Sequence, residues 1–209
     1  MDMLWPGFLI LLLLIPLMIG LYVWVLRRRR RFAVRYSSLA LVRVAQDAGA
    51  PSRLVETTVA VNEARKAGMA ARVISACGGS VRGKVIGVLG LTFKPETDDM
   101  RDSPSVPIVT RLMGDGAAVH AFDPQGMEQA RPLLPDGVVY CHDALDAVQG
   151  ADALVVITEW NEFRALSPAR LLSAMRGKVL VDLRNIYDPV AMTQAGIAYY
   201  SIGRGNDRR

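Results

Sequence analysis

From Lys84 to Gly203 short apolar runs alternate with amphipathic segments, and few architectures accept that alternation. KVIGVLG, AAVHAF, VVY, ALVVIT, KVLVDL and IAYYSIG read as strands. Between them PSVPIVTRLMGDG, DPQGMEQARPLL, DALDAVQG, SPARLLSAMRG and DPVAMTQAG read as helices. Strand–helix alternation at this spacing predicts an α/β fold, a doubly wound, Rossmann-like parallel sheet. Ligands in such sheets bind beyond the carboxyl ends of the strands. That rule selects three loops: Leu91–Ser103, Thr158–Phe163 and Arg184–Asp188.

A long helix precedes the alternation. Residues 51–77, PSRLVETTVAVNEARKAGMAARVISAC, start at a proline suited to a first turn and stop at Gly78 and Gly79. Val55, Val59, Met69, Val73 and Cys77 share a face, which Asn62 and Lys66 interrupt. Either the helix packs on a domain with these two at the edge, or they face a cleft or a partner subunit.

The N-terminus differs in kind. Phe8 to Leu26, FLILLLLIPLMIGLYVWVL, carries no charge and contains 14 Leu, Ile, Val or Phe residues. A helix of this length spans about 28 Å, close to the hydrocarbon thickness of a bilayer. The basic run Arg27–Arg31 follows the apolar segment, the reverse of a cleaved signal peptide. The expectation is a single-pass transmembrane helix in the inner (cytoplasmic) membrane, with the C-terminal domain in the cytoplasm. The net charge of +5 is matched by that one run, so a nucleic-acid partner is excluded. Cys77 and Cys141 form no CxxC, and His120 and His142 share no ligand spacing. No metal site is expected, and the two thiols read as part-buried residues.

LGLTFKPETDDMRDSPS, Leu89 to Ser105, concentrates charge at a strand end. Lys94, Arg101 and, further on, Arg184 are cations placed at the ligand end of the sheet. Ser103, followed by Pro104, reads as the N-cap of the next helix. A helix N-terminus flanked by Lys and Arg suits a phosphate or pyrophosphate. The same residues also suit a solvated loop with local ion pairs to Asp98, Asp99 and Asp102. Gly87 and Gly90 do not make G-x-G-x-x-G, so the dinucleotide fingerprint is missing.

GLTFKPETDDMRDSPS, AFDP, ITEWNEF and VDLRNIYDP, in that order, resemble the C-terminal half of the UDP-glucose/GDP-mannose dehydrogenase family, and within it the UDP-glucose 6-dehydrogenases. The resemblance runs from about Leu39 to Gly203. It implies a UDP-sugar ligand, NAD as the cofactor of a two-step oxidation to the acid, and a homodimer through the helix at 51–77. It implies substrate contacts from Phe93, Lys94 and Arg184, and a place for Arg101 near NAD and the partner half of the site. AFDP and TEW would be structural or supporting. The domains expected are a membrane anchor with basic flank at 1–38, the end of a central helical domain at 39–80, and a UDP-binding domain at 81–209.

The family's nucleophilic Cys lies in a GGSCF-type loop, where this chain reads RRFAVRYSS. CGGS at Cys77 follows the long helix and is not equivalent. The resemblance therefore implies no catalytic residue here and no NAD-binding domain. The expected function is the UDP-sugar-binding part of a dehydrogenase, inactive alone. The alternatives are a component completed by a separate NAD-domain chain, or a non-functional fusion product. Residues 1–40, with RRRRRFAVRYSSLALVR, resemble the membrane anchor of aerotolerance (von Willebrand A-containing) proteins, and LALVR, Leu39–Arg43, fits both patterns.

Overall fold

A computed structural model describes residues 53–204, together with 47–49 and the isolated positions Met18, Gly20 and Tyr22. The chain divides into two compact units, Met1–Val59 and Ala60–Arg209. The expected membrane span at 8–26 lies outside the described residues except at those three helical positions, as does most of the segment with the N-terminal resemblance. Among the described residues no helix is long and apolar enough to cross a membrane.

The long helix forms as α1, Arg53–Ala76. The alternation then follows as β1 (Val85–Leu89), α2 (Ser105–Gly114), β2 (Ala118–Phe122), α3 (Met127–Ala130), β3 (Val139–Tyr140) and α4 (Ala144–Val148). It continues through β4 (Ala153–Val156), α5 (Asn161–Arg164), α6 (Pro168–Ala174), β5 (Val179–Asp182), α7 (Pro189–Gln194) and β6 (Ala198–Ser201). The strands form one sheet in the order β3-β2-β1-β4-β5-β6, and every neighbouring pair is parallel. Parallel strands need crossovers, and covering helices bury both faces of the sheet. The runs VIGVL and ALVV are apolar throughout for that reason, and all of ALVV is buried.

Alternate strand residues feed opposite cores. Ile86, Val88, Val155 and Val181 join Val73 of α1 and Ile108 and Leu112 of α2. Leu89, Leu154, Val156 and Leu180 join Ala147 of α4, Phe163 of α5, Leu171 of α6 and Met192 of α7. A fully buried side chain of this size contributes about 1.5–3 kcal/mol.

Two local expectations change. The loop expected at Thr158–Phe163 contains the one-turn helix α5, which drives Phe163 into the second core, fully buried. Ser103 is not the N-cap of α2: Pro104 takes that position and no side chain caps it. Pro104 is already in a helical conformation, and the Ser103 hydroxyl is drawn to the Leu91 carbonyl at 2.6 Å. It still accepts the Ser105 N–H at 3.2 Å, within the first turn. Val73 on α1 and Cys77 just beyond its end are buried; on α1 Asn62 is exposed and Lys66 is half-buried beside a cleft.

Candidate functional site

The sheet order places β1 between β2 and β4, with β5 beyond, so the loops leaving their carboxyl ends are neighbours. Asp123, the residue after β2, ties them together. It is fully buried. Its Oδ2 accepts the N–H of Leu91 at 2.7 Å, the N–H of Thr92 at 3.0 Å, the Thr92 hydroxyl at 3.0 Å and Trp160 Nε1 at 3.2 Å. Its Oδ1 accepts the N–H of Gln125 at 3.0 Å and of Gly126 at 2.8 Å. Six donors converge on a side chain that, as a carboxylate, only accepts. AFDP and TEW thus meet in space, as supports of the loop after β1.

That loop starts from a backbone only glycine tolerates. Gly90 has φ of +89°, and a Cβ there would lie 2.5 Å from Thr158 Cβ. The Thr158 hydroxyl donates to the Thr92 carbonyl at 2.6 Å. Farther out the loop closes on itself, Phe93 N–H donating to the Asp99 carbonyl at 2.9 Å. The closure turns the Phe93 ring outward, 47% exposed, with Lys94 exposed beside it. Lys94 forms no salt bridge among the described residues.

Arg101 is already engaged. Its Nε and Nη2 donate to Asp99 Oδ1 and Oδ2 at 2.8 and 2.6 Å, a two-point pair. Those hydrogen bonds hold the Asp99 carboxyl down to about 2 against the opposing effect of burial, with help from the Arg101 backbone N–H and the charges of Arg101 and Lys94. Asp98 accepts from Gln129 Nε2 at 3.1 Å. The acids of the loop therefore divide their work, with Asp99 on Arg101 and Asp98 on α3.

Arg184 leaves the end of β5. Asp182, fully buried, accepts the Arg184 N–H at 3.0 Å through Oδ1. Its Oδ2 accepts the Tyr187 N–H at 3.1 Å and the Tyr199 hydroxyl at 2.7 Å. Asn185 turns the chain with φ of +57°, and its amide clasps Ile202 N–H and C=O at 3.1 and 2.9 Å. Arg184 Nε donates to Glu159 Oε2 across the gap between the β4 and β5 loops. The resemblance gives Glu159, within TEW, a structural or supporting place; its bond to Arg184 has no local signal in the sequence.

A cleft of about 850 Å³ opens between α1, the 97–103 loop, α2 and α3. Its wall holds Glu63, Asp98, Asp99 and Asp102 against Lys66 and Arg101, and Lys66 is paired with Glu63 at 2.8 Å. Acids outnumber cations there, so the cleft suits a diphosphate poorly. Of the expected ligand residues only Arg101 lines it; Phe93, Lys94 and Arg184 do not. The two thiols are both buried. Burial raises the Cys77 thiol, with Lys84 opposing, and pushes Cys141 up to about 11 with help from Asp146 and Asp143. Neither is a ready nucleophile. Among the described residues no group of three or more His, Cys, Asp or Glu could hold a metal ion.

Residues 87–189 match the model of the UDP binding domain of the UDP-glucose/GDP-mannose dehydrogenase family. The match begins inside β1 and ends at the start of α7, enclosing every loop just described. The α/β domain belongs to that family. A UDP-glucose 6-dehydrogenase of Rhizobium meliloti is 56% identical over 167 residues, which are 80% of this chain and 38% of that protein. UDP-glucose 6-dehydrogenase TuaD of Bacillus subtilis is 34% identical over 165 residues, 79% of this chain and 36% of that protein. The solved UDP-glucose dehydrogenase of the hyperthermophilic archaeon Pyrobaculum islandicum superposes with a TM-score of 0.64 at 32% identity, covering 78% of this chain and 35% of that one. The chain thus spans little more than a third of these relatives.

NAD finds no seat of the usual kind in the UDP-binding domain. The turn after β1 is closed onto Asp123 and Thr158, and α2 begins only at Ser105, with the hydroxyls of Ser103 and Ser105 both at 2.6 Å from the Leu91 carbonyl. No glycine-lined helix N-terminus faces the strand end, so the described residues do not fit a dinucleotide there.

Proposed function

We propose that the UDP-binding domain holds the UDP part of a UDP-sugar at the carboxyl end of its sheet, as the nucleotide-binding part of a UDP-glucose 6-dehydrogenase-like protein, and that this chain performs no oxidation on its own. The observation that carries the reading is the family match over residues 87–189, which coincides with the loops that Asp123 organises. Lys94 supplies a cation without a salt bridge among the described residues, Phe93 an exposed ring beside it, and Arg184 a second cation from the β5 loop. NAD belongs to a separate part of the family's machinery, toward which Arg101 would face. Calorimetric titration with UDP and UDP-glucose tests this. Micromolar binding is expected, weakened roughly tenfold or more in Lys94→Ala. No binding at millimolar nucleotide overturns it.

RRFAVRYSS, standing where the family carries its nucleophilic Cys, supports a second reading: a component whose NAD-binding and thiol-bearing half is another chain. NADH formation from UDP-glucose appearing only when such a chain is added would decide for it. NADH formation by the purified chain alone contradicts both readings. The anchor at 8–26 would hold the protein in the inner membrane with this domain in the cytoplasm, and carbonate extraction tests that. Dimerisation through the helix at 51–77 would show as twice the monomer mass in detergent.

A further inference from the structure

We infer that Glu159 is a positioning residue for Arg184, fixing the guanidinium at the nucleotide end of the sheet before ligand arrives. The inference rests on the binding role of Arg184 proposed above. The two residues are 25 positions apart and come from different loops. Arg184 Nε points to Glu159 Oε2, and the Nη groups have no described partner. A guanidinium anchored through Nε can still present its Nη edge to an anion.

Both backbones under this pair are pinned. Glu159 sits between Thr158, whose hydroxyl donates to Thr92 O at 2.6 Å, and Trp160, whose Nε1 donates to Asp123 Oδ2 at 3.2 Å. Arg184 follows Asp182 and Leu183, which are buried, and precedes Asn185, locked at φ of +57° onto Ile202. The side chains are about one-third exposed, 35% for Arg184 and 29% for Glu159. An ion pair so exposed adds little to stability. Its effect lies in where it holds the arginine, because a preorganised side chain loses less entropy on binding. Lys94, without a salt bridge among the described residues, and an anchored Arg184 would give one exposed and one fixed cation.

The test is a double-mutant cycle on the full chain, read by calorimetry with UDP as the probe. Glu159→Ala is expected to weaken UDP binding roughly five- to tenfold, the scale of one ordinary hydrogen bond. Glu159→Gln, which keeps an acceptor, loses less. Tm moves by less than about 3 °C in each. In an Arg184→Ala background the Glu159→Ala effect disappears. A Glu159→Ala protein that binds UDP as well as the parent, or better, overturns the inference, because the carboxylate then acts only as a repelling charge. A loss that persists without Arg184 also overturns it. If the parent chain itself fails to bind UDP, the reading of the site falls, and the inference with it.

Discussion

Asp123 Oδ2, one residue beyond β2, accepts the backbone N–H of Leu91 at 2.7 Å, two residues beyond β1. One buried side chain thereby sets where the loop of Phe93 and Lys94 departs from the sheet. Asp123→Asn keeps the volume but turns an NH2 toward backbone N–H donors. Buried donors left unsatisfied cost about 1–3 kcal/mol each, so a loss of about 3 kcal/mol is expected in urea unfolding. UDP affinity should fall with it, since the loop loses its anchor. A stability loss below about 1 kcal/mol would show that the six-donor arrangement is not what holds the loop.

Gly90 gives a second test of the same junction. Its φ of +89° disfavours any side chain, and a Cβ would meet Thr158 Cβ at 2.5 Å and Thr158 N at 2.6 Å. The close atoms are mostly backbone of β4's extension, which cannot swing aside. Gly90→Ala should cost at least about 2 kcal/mol. Chemical denaturation measures it directly.

The strands and the longer helices were legible in the sequence because their patterns are local. ALVVIT, a short β-branched-rich apolar run among turn signals, reads as a strand buried on both faces, and α1 announces itself by its length and its terminal glycines. The cations at the strand ends followed from the same pattern. What stayed hidden depends on strand order. Asp123 and Trp160 are 37 residues apart, and Arg184 and Glu159 are 25 apart. They meet only because β1 lies between β2 and β4, with β5 beside β4. The α5 turn was hidden for a different reason: four residues are too few to show a helical period, and Phe163 is placed by the core rather than by propensity.

The Asp99–Arg101 pair makes a pH prediction. Hydrogen bonding from Arg101 lowers Asp99 to about 2. A depressed carboxyl stabilises the folded loop above the ordinary carboxylate range near 4, and that contribution fades as pH falls toward the folded value. Carbon-detected NMR of the Asp99 carboxyl should show a midpoint near 2, returning toward 4 in Arg101→Ala. A midpoint near 4 in the parent chain would mean that the pair is not formed in solution.

Tyr187 and Tyr199 predict the behaviour at the other end of the pH scale. The Tyr187 hydroxyl donates to the Phe163 carbonyl at 2.6 Å and the Tyr199 hydroxyl donates to Asp182 at 2.7 Å. Burial raises both phenols, and the Asp182 carboxylate raises them further, with Arg204 partly opposing at Tyr199. In the unfolded chain both ionise near pH 10. The stabilisation they give is therefore complete below about pH 10 and declines as pH rises further, because the unfolded state loses protons first. Ultraviolet difference titration should show these two tyrosines ionising only with unfolding, in one cooperative step. Tyr199→Phe removes one of the two groups, so its stability should fall less steeply above pH 10 than that of the parent. It should also be about 1 kcal/mol less stable at neutral pH, where the bond to Asp182 is lost. A parent chain whose tyrosines all ionise near pH 10 while it stays folded would contradict the buried Asp182 cluster, and with it the fixed geometry of the β5 loop that carries Arg184.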